Sequence, residues 1–210
     1  MKDRITEIRE LKNGFRVTIN DQQLLFLRHK DQRSLALKEG DPVDAKELTH
    51  TLLLEQYPDA LNRAVRMLAV RARSGYEIEK RLTDACYLED TVDMVLTKLQ
   101  SEGFVDDKAF AGQWARERAA RQIGKARILH ELRLKGIDSA LAEQAVLEID
   151  PNTQDESTGK LAGKLLKRYR SLPAADARRK TILAMQRRGY SYGEAQRALE
   201  SAAEDGDLDP

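Results

Sequence analysis

The chain has 210 residues, 41% of them hydrophobic, 34% charged and 5% aromatic, with a single cysteine. It can bury a core but cannot be a disulfide scaffold, no apolar run approaches the roughly 18 residues a membrane helix needs, and Met1-Lys2-Asp3-Arg4 leads into mixed charges rather than a signal peptide, so a soluble, cytoplasmic protein is expected. The formal charge of +1, from 36 Lys and Arg against 35 Asp and Glu, says nothing by itself about nucleic acid; the distribution along the chain says more.

Residues 1–58 read as a small sheet followed by a helix. Phe15, Val17 and Ile19 alternate with Arg16, Thr18 and Asn20 after Lys12-Asn13-Gly14, a hairpin signal. Ile5 and Ile8 before that turn, and Leu24 to Leu27 after Asn20-Asp21, complete an antiparallel sheet. Asp41-Pro42 opens a helix through Leu48, Leu52 and Leu53, and Tyr57-Pro58-Asp59 marks the boundary with the first repeat.

From residue 59 onward the charges cycle. Arg63, Arg66, Arg71, Arg73, Lys80 and Arg81 precede an acidic stretch from Asp84 to Asp107; Lys108 to Lys135 is basic and Asp138 to Glu156 acidic. Lys160 to Arg188 is basic again, and the tail beyond Glu194 is acidic. Ala85-Cys86-Tyr87, Lys135-Gly136-Ile137 and Arg188-Gly189-Tyr190 separate the basic from the acidic stretches at a period of about 50 residues, which is the scale of a repeat array. Apolar residues keep helical spacing within each unit, as in Leu61, Val65, Leu68 and Ala72, or Val92, Val95, Leu96 and Leu99. Ser74-Gly75-Tyr76-Glu77 and Ser191-Tyr192-Gly193-Glu194 read as capping boxes, and Gly136 and Gly189 as left-handed helix ends. Each unit therefore reads as three helices, over 59–106, 107–152 and 153–203. Pro151-Asn152-Thr153-Gln154-Asp155 is a polar linker, and 204–210 an acidic, disordered tail. The fold class expected is mainly α, with tandem three-helix repeats behind a small antiparallel sheet.

Catalytic chemistry lacks its starting residues. His29, His50 and His130 fall in different segments and Cys86 has no partner at metal-ligand spacing. Phosphate-cradling glycine loops and a nucleophile elbow are missing from the sequence. Asp106-Asp107 reads as helix capping rather than an acid-base pair, Cys86 as a small packed residue, and His130 as solvated or half-buried. Phe110 and Trp114, one turn apart, could stack on bases but fit a core better, since Ala111 and Ala115 share their side. No enzyme, metal or cofactor is expected. Three basic faces of the same polarity instead point to an acidic partner, a nucleic-acid backbone or an acidic protein.

Several stretches resemble the RecX family, bacterial regulators of the RecA recombinase, over about Ala64 to Ala203. They are Ala64-Val65-Arg66-Met67-Leu68-Ala69-Val70-Arg71-Ala72-Arg73-Ser74, then Gly103-Phe104-Val105-Asp106-Asp107-Lys108-Ala109-Phe110-Ala111, and Gly124-Lys125-Ala126-Arg127-Ile128 continuing to Ile137. Arg187-Arg188-Gly189-Tyr190-Ser191 resembles the matching point of the family's last repeat. The resemblance implies an elongated, curved array that lies in the groove of the RecA filament on single-stranded DNA. It implies suppression of ATP hydrolysis, strand exchange and coprotease activity, and so an effect on recombination, DNA repair and the SOS response. Asp84-Ala85-Cys86-Tyr87 departs from the family, which often has a basic residue and glycine there, and the amino-terminal sheet resembles an extension of only some members.

The residues expected to meet acidic filament groups or DNA phosphates are Arg66, Arg71, Arg73 and Arg81 in the first unit. In the second they are Arg116, Arg118, Arg121, Lys125, Arg127, Arg133 and Lys135, and in the third Lys164, Lys167, Arg168, Arg187 and Arg188. The partners expected are the RecA filament and single- or double-stranded DNA, with no membrane and a monomeric chain. The competing expectation is a stand-alone DNA-binding protein with helix-turn-helix-like units, which predicts sequence-specific duplex affinity.

Overall fold

A computed structural model describes the backbone of residues 3–204 and the side chains of residues 3–150 and 155–202. It divides into two compact units, Met1–Asp106 and Asp107–Pro210.

The first unit opens with strands β1 (Asp3–Leu11), β2 (Gly14–Ile19) and β3 (Gln23–Arg28), then helix α1 (His29–Leu35) and the two-residue strand β4 (Pro42–Val43). The sheet is antiparallel in the order β3-β2-β1-β4. Its inner face presents Ile5, Val17, Ile19, Leu25 and Leu27 to Ala45, Leu48 and Leu52. Each of these large side chains contributes about 1.5–3 kcal/mol by leaving water. The turn at Asn20-Asp21 is of type I′, because both residues have positive φ, 51° and 57°, and the Gln22 N–H donates to the Ile19 carbonyl. The Asn13-Gly14 hairpin forms as well, but Gly14 is needed for another reason. A Cβ there would lie 2.1 Å from the Leu27 carbonyl oxygen and 2.9 Å from the Cys86 Cβ.

Three expectations for chain direction need correcting. Asp41-Pro42 does not open a helix: Pro42 and Val43 pair with Arg4 and Asp3 at the sheet edge, where a proline lacking its N–H is tolerated. The helix begins after Asp44, whose carboxylate accepts from the Lys46 and Glu47 amides. Tyr57-Pro58-Asp59 does not end it, since α2 runs from Ala45 to Val70 with Pro58 inside. Pro58 and Leu54, whose carbonyl Pro58 cannot bond, both lie on the exposed side. The inner stripe Leu48, Leu52, Gln56, Ala60 and Ala64 stays buried on both sides of the proline. The expected boundary at 58 thus falls inside a helix shared by the sheet and the first repeat.

That repeat consists of the second half of α2 with α3 (Gly75–Thr83) and α4 (Glu89–Ser101), around Ala60, Ala64, Ile78, Leu82, Val92, Val95 and Leu99. In the second unit, α5 (Asp107–Ala120), α6 (Lys125–Leu134) and α7 (Ser139–Leu147) enclose Phe110, Ala115, Ile128, Leu132, Ala142 and Val146. Helices α8 (Pro151–Arg168), α9 (Ala174–Gln186) and α10 (Tyr192–Glu204) enclose Leu161, Leu165, Met185, Tyr190, Ala195 and Leu199. The third correction concerns Pro151 to Asp155, which form the first turn of α8 rather than a linker; proline suits the opening position of a helix, where no N–H is needed. Helix α10 reaches Glu204, one residue into the expected tail, and residues 205–210 lie outside those described.

The three marks read from the sequence are one backbone motif repeated. Cys86, Gly136 and Gly189 have φ of 60°, 72° and 92°. Tyr87, Ile137 and Tyr190, next in line, each donate from the backbone to the carbonyl five residues back, at Leu82, Leu132 and Met185. Tyr87, Ile137 and Tyr190 are all buried, so one turn both ends the middle helix of its repeat and anchors a large side chain in the core.

Candidate functional site

The expected cations fall into two physical classes once their partners are visible. In the first unit, Arg71 makes a two-point pair with Glu77, at 3.0 and 2.8 Å, and hydrogen bonding to that carboxylate raises its pKa. The Arg73 Nε donates to the Met67 carbonyl at 3.2 Å; burial and then the nearby charge of Arg71 lower its pKa, with a smaller contribution from Arg81. These arginines fasten the α2–α3 connection to the Ser74 cap, whose hydroxyl accepts from the Glu77 amide. Arg66 and Arg81 are exposed and make no side-chain bond among the described residues.

In the second repeat the structure gathers Arg118, Lys135, Glu131 and Arg127 around Trp114. The Arg118 guanidinium lies 4.3 Å from the indole centroid and the Lys135 ammonium 4.1 Å from it, while the Phe110 ring stacks on the indole at 5.9 Å. The Arg118 Nε approaches Glu131 Oε2 at 2.6 Å, an ion pair whose angle is not that of a hydrogen bond, and Arg127 meets the other oxygen at 3.3 Å. Arg133 is 3.8 Å from Glu143, with both side chains more than half exposed, a contact of little energetic weight. Phe110 and Trp114 thus belong to the core and its margin, and Arg118 and Lys135 cover them. Arg116 and Arg121 are exposed without a side-chain partner among the described residues, and Lys125 is half-buried at the start of α6.

The third repeat brings Arg187 and Arg188 to the start of α6. Gly124 donates to the Arg188 carbonyl at 2.8 Å, Ala126 to the Gly189 carbonyl at 3.3 Å, and the Arg127 guanidinium to the Arg187 carbonyl at 3.4 Å. Helix α6 has no side-chain cap, so carbonyls of the neighbouring repeat satisfy its first donors. The approach is close because both residues are glycine: a Cβ on Gly124 would sit 2.2 Å from the Gly189 backbone, and one on Gly189 2.4 Å from the Arg127 Cβ. Lys164, Lys167 and Arg168 lie exposed on α8.

Sequence reading missed a polar network in the first unit. The Arg28 side chain is 8% exposed; it pairs with the buried Asp31 and with Asp59, and its guanidinium lies 4.7 Å from the Tyr87 ring centroid. Gln56 donates to Asp31 at 2.8 Å and accepts from the Leu88 amide at 2.8 Å, and the Tyr87 hydroxyl donates to Asp59 at 3.0 Å. Its members stand 31 and 28 residues apart in pairs that no local pattern connects. The one available signal was a polar Gln56 in an otherwise apolar helix stripe. Among the described residues no group of His, Cys, Asp and Glu is arranged to hold a metal, and no helix is long and apolar enough to cross a membrane.

Comparison with known proteins matches residues 60–99 to the first three-helix domain of RecX and 106–146 to the second. Regulatory protein RecX of Mycolicibacterium smegmatis is 35% identical over 141 residues, covering 65% of this chain and 75% of that one. The chain belongs to the RecX family. Regulatory protein RecX of Corynebacterium efficiens is 32% identical over 72% of this chain and 77% of its own. Two crystal structures share the fold at 24% identity. One, of a regulatory protein RecX, has a TM-score of 0.65 and covers 94% of this chain, too much to leave out the amino-terminal sheet; the other, RecX from Lactobacillus salivarius, has a TM-score of 0.67 over 71%. RecX proteins are regulators rather than enzymes, and this chain has their regulatory role. In the first RecX domain Cys86 holds the left-handed position that glycine holds in the two later repeats, so the departure in sequence leaves the turn itself unchanged.

Proposed function

We propose that this RecX protein binds the RecA filament on single-stranded DNA and inhibits its ATPase, strand-exchange and coprotease activities, acting as a monomer. The observation that carries this reading is that each three-helix repeat keeps exposed cations that have no ion-pair partner among the described residues: Arg66 and Arg81, then Arg116 and Arg121, then Lys164 and Arg168. A filament offers the same acidic groups at every protomer, so weak contacts on tethered units add through effective concentration. Arg71, Arg118 and Arg127, paired with carboxylates, Lys135 over the Trp114 ring, and Arg73, bonded to the Met67 carbonyl, act mainly by holding those units in shape.

The test is RecA ATP hydrolysis on single-stranded DNA, titrated with the protein at substoichiometric ratios and two salt concentrations, with strand exchange followed in parallel. Inhibition well below one protein per RecA, weakened by salt, is the expected result. Arg116→Glu with Arg121→Glu should raise the inhibitory concentration about tenfold or more while far-UV circular dichroism is unchanged. Inhibition that survives reversal of these two charges overturns the placement, and no effect of the wild-type protein on either activity overturns the function.

A further inference from the structure

An open cleft of about 530 Å³ lies in the first unit, where the β1–β2 turn and the end of β3 face helices α2 and α3. Its lining is lopsided in charge: Lys12, Arg28, Lys30, Arg63 and Arg81 against Asp59 and Asp84. Asp59 is already neutralised, because Arg28 pairs with it, Lys30 stands 3.1 Å from it and Tyr87 donates to it. Lys12, Arg63 and Arg81 are left exposed with no side-chain partner among the described residues, three cations against the single remaining carboxylate of Asp84. Long cationic side chains gathered at one concavity repel each other unless an anion joins them, and this concavity is fixed from beneath by the buried Arg28, Asp31 and Gln56 network. The Asn13 amide, donating to the Asp84 carbonyl at 2.6 Å, holds the hairpin turn to the end of α3, so both walls are positioned.

The chemistry of the lining is that of a nucleotide unit rather than of charge alone. His29 lines the same cleft, is exposed, and stands edge to face with Phe15 at 5.2 Å, which fixes an aromatic plane beside the cations. An acidic peptide would use the bases and leave the ring idle; a single strand of nucleic acid offers a phosphate for the bases and an unstacked base for the ring. We infer that this cleft binds single-stranded nucleic acid, with Lys12, Arg63 and Arg81 taking backbone phosphates and His29 stacking on a base. The site is distinct from the repeat cations assigned above to the filament, Arg81 excepted, and it needs no recombinase.

The test therefore uses the full chain alone, by fluorescence anisotropy with a labelled oligothymidylate of about 16 nucleotides. Arg63→Glu with Arg81→Glu should weaken binding about tenfold or more, and should reduce the slope of log affinity against log salt by about 1.4, two phosphate contacts at about 0.7 each. His29→Ala should weaken binding about fivefold or more and leave that slope alone. Unlabelled oligothymidylate should displace the probe far better than polyglutamate of equal charge. Wild-type affinity in the double charge reversal, or in the milder Arg63→Gln with Arg81→Gln should the reversal unfold, overturns the site. Equal displacement by polyglutamate overturns the nucleic-acid assignment in favour of an acidic protein. Because RecA is absent, failure here leaves the filament reading standing, and failure of the ATPase titration leaves the cleft standing.

Discussion

Gly136 shows what one residue type does for a repeat. Its φ of 72° suits glycine, and the residue is exposed. Gly136→Ala should cost at least the left-handed strain, about 1–2 kcal/mol, read as a lower midpoint in thermal unfolding of the second unit. A cost near zero would mean that the turn relaxes. Cys86 carries the same conformation with a side chain; burial, and less strongly the charge of Asp84, push its thiol pKa up, so alkylation should be slow until the unit opens. Asp59 supplies a pH dependence with a definite sign. Burial alone would raise its pKa, but hydrogen bonds from Lys30 and Tyr87, with the charges of Lys30 and Arg28, outweigh it and hold the carboxyl below its ordinary value. A depressed carboxylate stabilises the folded state above its unfolded pKa, roughly 4, and that contribution is lost as pH falls through the folded value. Denaturation midpoints of the wild type and Asp59→Asn should differ at pH 7 and converge in acid below that range; a constant gap would refute the charge-based account.

Helix α2 and helix α8 show the same residue with opposite consequences. Proline interrupts a helix by removing a donor and crowding the preceding turn, which costs about 3 kcal/mol, yet α2 continues because apolar burial holds it on both sides of Pro58. Pro58→Ala should restore the bond to Leu54 and stabilise the first unit by about 1–2 kcal/mol, part of the gain being offset by the looser unfolded chain. A destabilised variant in chemical denaturation would show that the proline is packed rather than tolerated. At Pro151 the same residue opens α8 at no such cost. Asp44 and Ser191 were legible or not for a related reason. The Ser191 box forms as its spacing predicts, with Ser191 and Glu194 bonding each other's backbone amides. Asp44 was hidden because Asp41-Pro42 offers a cap-then-proline pattern three residues earlier, and pairing with β1 decided between them.

Across the second unit, two glycines 65 positions apart in sequence make one joint, recorded by the 2.8 Å bond from Gly124 to the Arg188 carbonyl. Gly189→Ala would press a methyl group against Arg127 and strain a φ of 92°, so the α6 start and the α9–α10 turn should part. Native-state hydrogen exchange should then show Gly124 and Ala126 losing protection while amides in the middle of α7 keep theirs. Loss of protection throughout the unit would mean that the joint and the cores are one cooperative structure. Each repeat owns a separate apolar cluster, and that independence favours the selective outcome.

The sequence by itself determined the repeat: the period of about 50 residues, the three marked turns, the amphipathic helices and the alternating strands before them are all local patterns, set by side-chain periodicity and backbone preference. It could not say that one helix would serve both the sheet and the first repeat, because the burial holding α2 together at Pro58 comes from strands and helices distant in sequence. It grouped Arg71, Arg118 and Lys135 with Arg116 and Arg121, because a charge in a sequence carries no mark of its partner. Nor could it show the Arg28, Asp31, Gln56 and Asp59 network or the cleft above it. Which cations are spent on holding the fold, and which are left for a partner, is decided only when the chain closes and each charge finds, or fails to find, a neighbour within a few ångströms.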